Sequence, residues 1–151
     1  MKVALGCDHA GFAIKDIVKK TIEELGAEVL DFGTYSADSV DYPDYAAKVA
    51  LAVSSGQAGK GILICGSGIG VCITANKFKG ARASIAHDEY SAAQGVLHDN
   101  MNILCLGARV VKAEIVPSLV KAFLGAKFES GEERHVRRCG KVVSIENQNF
   151  K

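Results

Sequence analysis

The chain has 151 residues, 48% of them hydrophobic, and this size predicts one globular domain over residues 1–151. A formal net charge of +1 excludes a global field that would attract nucleic acid or an anionic membrane surface. No stretch resembles a secretory signal or approaches the ~18 apolar residues of a membrane span, so we expect a cytoplasmic protein. Its five cysteines have no C-x-x-C spacing and are expected to be reduced thiols.

Short apolar runs alternate five times with amphipathic helical stretches. The first strand is predicted over 2–7, and apolar residues at helical spacing then predict a helix that stops at Gly26. The other predicted strands are 27–33, 60–65, 81–87 and 102–107, and the helices that follow them are 42–56, 68–78, 88–99 and 112–125. This alternation predicts a doubly wound, Rossmann-like α/β sandwich of three layers around a five-stranded parallel sheet. The charged tail from Glu129 is expected to form an extra C-terminal helix that packs on the body or on a neighbouring subunit.

Polar side chains follow the predicted strands, where ligands bind in this architecture. They are Asp8 and His9 after the first strand, Tyr42 in the loop after the second, Cys65 at the end of the third, His87 after the fourth and Arg109 after the fifth. We expect them to cluster at one edge of the sheet.

The segment "CGSGIG" places a cysteine directly before a glycine-rich turn. Gly66, Gly68 and Gly70 would let several backbone amides point at one oxyanion. Their spacing is neither a dinucleotide fingerprint nor a phosphate loop, and a tight strand-to-helix turn explains them equally well. The adjoining amides would stabilise the thiolate of Cys65 and make it a usable base, whereas burial in the core is the alternative.

The remaining cysteines and the histidines have simpler explanations. Core packing is expected for Cys7, Cys72 and Cys105, which lie in apolar runs. A structural role is favoured for His87 and His135, and no His or Cys pair has the spacing of a zinc site, so no metal is expected.

Three further groups have two interpretations each. Asp8 with His9 suits sugar hydroxyls or a phosphate, although Asp8 alone would suit a helix cap. His98, late in a helix, is either a locally packed residue or a proton donor. Arg134 and Arg138 share a helix face that suits a phosphate, although charged runs of this kind are usually solvated.

Seven ordered blocks together resemble the ribose-5-phosphate isomerase B family, which also includes galactose-6-phosphate and allose-6-phosphate isomerases. The blocks are "CDHAGF", "VDYPDYA", "CGSGIG", "ANKFKGARA", "HDEYSA", "NILCLGARV" and "RHVRR", and they span nearly the whole chain. The resemblance implies an aldose–ketose isomerase that works through an enediolate without a metal or other cofactor. It also implies a homodimer or tetramer whose sites combine residues of two subunits.

The resemblance further implies a role for each matching residue. Cys65 matches the base, His98 the ring-opening residue, and Ser67 a hydroxyl that assists proton movement between sugar oxygens. Residues matching the substrate-binding set are Asp8, His9, Tyr42, Gly66, Ser67, Gly68, Ile69, Gly70 and Asp99. Those matching the phosphate-binding set are His9, Arg109, Arg134 and Arg138.

The chain departs from the family pattern at three places. Asp99 stands where asparagine is common, Ser67 replaces threonine, and "SGEE" adds two residues before the arginine motif. The carboxylate of Asp99 accepts hydrogen bonds without donating them, which bears on sugar preference. A hexose-6-phosphate isomerase of the same family is the nearest alternative, and a flavodoxin-like binding module without catalysis is a more distant one.

Overall fold

The computed structural model describes residues 1–150, and its five parallel strands form one sheet in the order β2-β1-β3-β5-β4. The strands are β1 (Lys2–Cys7), β2 (Glu28–Asp31), β3 (Lys60–Cys65), β4 (Ala83–Ile85) and β5 (Ile103–Gly107). The α-helices are α1 (Phe12–Glu24), α2 (Tyr42–Ser54), α3 (Ile69–Ala75), α4 (Glu89–Asp99), α5 (Val116–Gly125) and α6 (Glu133–Asn149). The predicted doubly wound α/β fold with an extra C-terminal helix is confirmed.

Both faces of the sheet are covered, because successive side chains of a strand point to opposite sides. In β3, Ile62 and Ile64 pack in the cluster that contains Val18 of α1 and Phe123 of α5. Leu63 and Cys65 belong to the other cluster, with residues of α2 and α3. Cys65 therefore ends its strand on the α2/α3 face.

Several element boundaries differ from the sequence-based prediction. Strand β4 has three residues, because it lies at the edge of the sheet and pairs with β5 alone. Helix α2 begins at Tyr42, as the predicted helix over 42–56 does, but ends at Ser54. Cys7 and Cys105 are completely buried as predicted, whereas Cys72 is half-buried, because it lies on a helix flank beside the short edge strand.

A buried lysine fixes the loop between β2 and α2. The Lys15 ammonium donates to the Thr34 carbonyl at 2.7 Å and lies 2.8 Å from the Asp31 carboxylate. Both partners flank the end of β2, so α1 holds the loop that leads to Tyr42. None of the helices in residues 1–150 has the length and apolar character needed to cross a membrane.

Candidate active site

A cavity of about 320 Å³ opens at the carboxyl ends of β1, β3 and β5. Its lining residues are Asp8, Tyr42, Cys65, Gly66, Ser67, Gly70, Arg109 and Val110. The strand order places β1 and β3 side by side at the centre of the sheet, with their crossovers leading outward in opposite directions. The predicted clustering at this edge is thus found for Asp8, Tyr42, Cys65 and Arg109, and Val110 is a lining residue that the sequence analysis missed.

Cys65 lies on the floor of this cavity, with 4% of its surface exposed. The Gly68 amide donates to Cys65 Sγ at 3.1 Å, and an N–H aimed at sulfur stabilises negative charge there. Gly68 has a φ of 81°, in the left-handed region that favours glycine. The glycine turn therefore brings its own amide onto the thiol.

Two other glycines of the turn lie against side chains that line the cavity. A Cβ on Gly70 would lie 2.7 Å from the Tyr42 ring, and one on Gly66 would lie 3.0 Å from an Arg109 guanidinium nitrogen. Gly66 and Gly70 thus leave room for Arg109 and Tyr42, while Gly68 supplies the left-handed backbone of the tight bend. The Ser67 hydroxyl, in the cavity wall, accepts from the Ile69 amide at 3.1 Å.

Asp8 and His9 each use one atom to organise the backbone. Asp8 is 6% exposed and its Oδ1 accepts from the Gly11 amide at 3.0 Å, while its carboxylate also lines the cavity. The N-cap of α1 is Gly11, so Asp8 holds the turn that leads into the helix rather than capping the helix itself. His9 Nδ1 accepts from the Val40 amide at 3.2 Å, so a neutral His9 carries its proton on Nε2. His9 lies outside the cavity wall.

The cysteines behind the cavity are chemically distinct. Burial raises the pKa of the Cys7 thiol to about 11, which suits an inert core residue. A hydrogen bond between the Cys72 and Cys105 thiols, together with burial, raises the pKa of Cys105 well above its usual range. The same hydrogen bond lowers the pKa of Cys72 to about 7. Cys72 is therefore the second cysteine to consider in any thiol-labelling experiment.

His98 lies in the last turn of α4, away from the wall of the Cys65 cavity. Its ring stacks on that of His135, with centroids 4.1 Å apart and planes at 27°. Glu129 Oε2 lies 3.1 Å from His135 Nδ1 and 3.8 Å from His98 Nε2. The sequence analysis missed Glu129, because the charged tail gave no sign that it returns to α4.

The stacking bears on what this group of residues binds. His98, Glu129 and His135 together offer three ligand atoms of the kind that hold a metal ion. These three atoms lie within 4.8 Å of one another, and the stacked rings place His135 Nδ1 and His98 Nε2 beside the same Glu129 oxygen.

Gln94 connects His98 with Asp99, the residue that departs from the family pattern. The Gln94 amide nitrogen lies 3.2 Å from His98 Nδ1 and 3.4 Å from Asp99 Oδ2. A carboxylate only accepts hydrogen bonds, so Asp99 orients the NH₂ of Gln94 toward itself and toward the imidazole. Asp99 lies outside the wall of the Cys65 cavity.

Arg134 and Arg138 lie one turn apart on α6, and both are exposed. The ion pair on this helix joins Glu133 to Arg137. Among residues 1–150, neither Arg134 nor Arg138 forms an ion pair, so both guanidinium groups stay available to an anion. Within one chain they lie apart from the Cys65 cavity wall.

Comparisons with known proteins agree with these features. The ribose/galactose isomerase family model matches residues 3–142. Ribose-5-phosphate isomerase B of Escherichia coli is 46% identical over 147 residues, which is 97% of each chain. D-erythrulose-4-phosphate isomerase 2 of Mycolicibacterium smegmatis is 43% identical over 132 residues, covering 85% of this chain and 87% of the relative.

A solved structure shares the fold over the same extent. The type B ribose 5-phosphate isomerase of Trypanosoma cruzi superposes with a TM-score of 0.95 at 42% identity, covering 99% of this chain and 100% of the other. The family match covers nearly the whole chain, and the structural match includes every element that forms the cavity. The chain therefore belongs to the ribose/galactose isomerase family.

Proposed function

We propose that this chain interconverts ribose 5-phosphate and ribulose 5-phosphate. The observation that carries the proposal is Cys65 at the floor of the cavity, with the Gly68 amide 3.1 Å from its sulfur. The relatives reported above act on phosphorylated sugars by name, which supports the same substrate class here.

The proposed chemistry moves one proton between neighbouring carbons. The Cys65 thiolate takes the proton from C2 of the open-chain aldose, and the electrons of that C–H bond form the C1–C2 double bond of a cis-enediolate. Backbone amides of residues 66–70 stabilise the negative charge that develops on oxygen. Ser67 assists the transfer of a proton between the two oxygens, and the Cys65 thiol then delivers its proton to C1.

The other predicted site residues bind and prepare the sugar. His98 opens the furanose ring, and Asp8, Tyr42 and Asp99 contact the sugar. Arg109, with His9, Arg134 and Arg138, holds the phosphate, because planar guanidinium groups bind its oxygens in pairs.

We propose further that the working unit is a homodimer or a tetramer built from dimers. His98, Arg134 and Arg138 lie apart from the Cys65 cavity wall of their own chain. Helix α6 exposes a row of apolar side chains: Val136, Val142, Val143 and Ile145. A groove of about 730 Å³ runs between this helix, α4 and β4. A second copy of the chain would cover these surfaces and supply the missing residues.

Mixing two inactive variants tests this arrangement. Cys65→Ala and His98→Asn should each be inactive alone, but unfolding and refolding them together should restore about a quarter of wild-type activity. Half of the dimers are then mixed, and each holds one site with both native residues. If the mixture stays inactive while sizing shows mixed dimers, each site belongs to a single chain.

The cytoplasm is the compartment we propose for this reaction. The mechanism needs Cys65 as a thiolate, and cytosolic reductants keep thiols reduced. All five cysteines are free in this structure.

The choice of sugar is tested with the purified full chain in chelator-treated buffer. Isomerisation of ribose 5-phosphate, allose 6-phosphate, galactose 6-phosphate and D-erythrulose 4-phosphate is followed in parallel. We expect the highest kcat/KM with ribose 5-phosphate. A hexose or tetrose phosphate as the best substrate would contradict the substrate assignment but keep the mechanism. No turnover of any of the four would favour a binding module, and the visible absorption of a flavin would then identify its ligand.

A further inference from the structure

The short edge strand leaves one amide of β5 beside a histidine. Strand β4 ends at Ile85, which pairs with Cys105 of β5. Two residues further along β5, the Gly107 amide lies beyond the end of β4 and donates to His87 Nε2 at 2.9 Å. The imidazole therefore takes the place of a strand carbonyl, and it must be neutral with its proton on Nδ1 to accept this hydrogen bond.

Gly107 lies directly beside the candidate base. It pairs with Cys65 in the register of β3 and β5. The next two amides continue the contact, from Ala108 to the Cys65 carbonyl at 2.8 Å and from Arg109 to the Gly66 carbonyl at 3.0 Å. A Cβ on Gly107 would lie 2.6 Å from the backbone of Ser67, so there is no free space between this strand end and the glycine turn.

We propose that neutral His87 is a positioning residue for the isomerisation. It holds Gly107 in place, and Gly107 in turn supports the backbone of Cys65, Gly66 and Ser67. Protonation of His87 puts a hydrogen on Nε2, which removes the acceptor and sets two N–H groups against each other. The turn then loses its support and the base is displaced. The part of this inference that concerns catalysis rests on the proposed function.

The surroundings of His87 keep it neutral under ordinary conditions. Burial lowers the pKa of His87, and the neighbouring Asp88 carboxylate opposes this effect in part. Asp88 is held as the cap of α4, with its Oδ1 accepting from the Ser91 amide at 2.7 Å. From β5, His87 meets the uncharged Gly107 backbone. Among residues 1–150, Asp88 is the charged side chain that acts on His87.

The lowered pKa of His87 determines how the stability of the fold changes with pH. The unfolded chain protonates His87 near the ordinary value of ~6.5, whereas the folded chain does so only at lower pH. Between these two values the unfolded chain binds more protons. The contribution of His87 to stability is therefore complete above about pH 6.5 and is lost as the pH falls toward its folded-state pKa.

Two variants separate positioning from simple packing. In His87→Gln the side-chain oxygen replaces Nε2 as an acceptor that does not titrate, whereas His87→Leu has similar bulk without an acceptor. We expect His87→Gln to retain kcat within about two-fold at pH 8. In the pH profile of kcat, the acid limb of this variant should lack one of the ionisations seen in the wild type. His87→Leu should lower kcat by ~10-fold or more above about pH 6.5, where the wild-type imidazole is neutral, and the difference should shrink as the wild type is protonated at lower pH. An unchanged acid limb in His87→Gln overturns the proposal, even if His87→Leu fails to fold.

A second measurement does not depend on activity. The chemical shift of the Gly107 amide is followed by ¹H–¹⁵N NMR of the full chain. It should change as the pH falls below about 6.5 in the wild type and stay constant in His87→Gln. A Gly107 signal that does not titrate in the wild type overturns the contact itself. If none of the sugar phosphates is isomerised, the proposed function fails, while this titration still decides whether His87 supports Gly107.

Discussion

Replacing Cys65 with alanine is expected to lower kcat for ribose 5-phosphate by ~10²-fold or more, with KM changed by at most a few-fold. The proposed base is lost, whereas the backbone amides of the turn and the arginines proposed to bind the phosphate remain. Cys65 is almost completely buried, but alanine removes only its sulfur atom and the space that this leaves adjoins the cavity. Steady-state kinetics at saturating substrate measure this loss directly.

Cys72→Ala is the matched control, because Cys72 lies in the helix that follows the same turn and its pKa is lowered to about 7. This variant should keep its activity and remain sensitive to iodoacetamide, since we expect the inactivating alkylation to occur at Cys65. If Cys72→Ala loses activity and Cys65→Ala retains it, the assignment of the base is wrong. Thermal unfolding of both variants shows whether either loss comes from the fold.

Gly107→Ala is expected to have the second-largest effect, on both stability and turnover. Its Cβ would lie 2.6 Å from Ser67 carbon and oxygen atoms of the backbone, which are unable to rotate away as a flexible side chain would. Overpacking of this kind costs about 1–3 kcal/mol of unfolding free energy. Because the displaced atoms belong to the turn that carries Cys65, kcat should also fall by ~10-fold or more.

Gly125→Ala serves as the control for this substitution. Gly125 ends α5, and a Cβ there would meet no atom within 4 Å. Alanine is the better helix former, so this variant should match the wild type in activity and equal or exceed it in stability. A Gly107→Ala variant as active as Gly125→Ala would contradict the close packing of β5 against the glycine turn.

The fold was largely predictable, because the apolar periodicity changes cleanly between strand and helix. Strand β3 and helix α1 are each long enough, and regular enough, for their patterns to be unambiguous. Strand β4 was predicted too long. Its apolar residues continue past Ile85, but an edge strand pairs on one side only and the chain leaves the sheet to form the His87 contact.

The candidate site was predictable where it depends on strand ends. Asp8, Cys65 and Arg109 follow directly from the rule that parallel strands end at one edge. The contacts that explain the glycines were not predictable, since the packing of Tyr42 on Gly70 joins residues far apart in the chain. The stacking of His98 on His135 was not predicted for the same reason. The path of the charged tail depends on tertiary packing, which local sequence patterns do not encode.

Solvent exchange tests the central claim, that Cys65 moves a proton between C2 and C1, most directly. Ribose 5-phosphate is incubated with the enzyme in D₂O and followed by ¹H NMR. The wild type should place deuterium at C2 of the aldose or C1 of the ketose, and Cys65→Ala should slow this exchange by ~10²-fold or more. Exchange by Cys65→Ala at the wild-type rate would contradict the account, because another group would then be removing the proton.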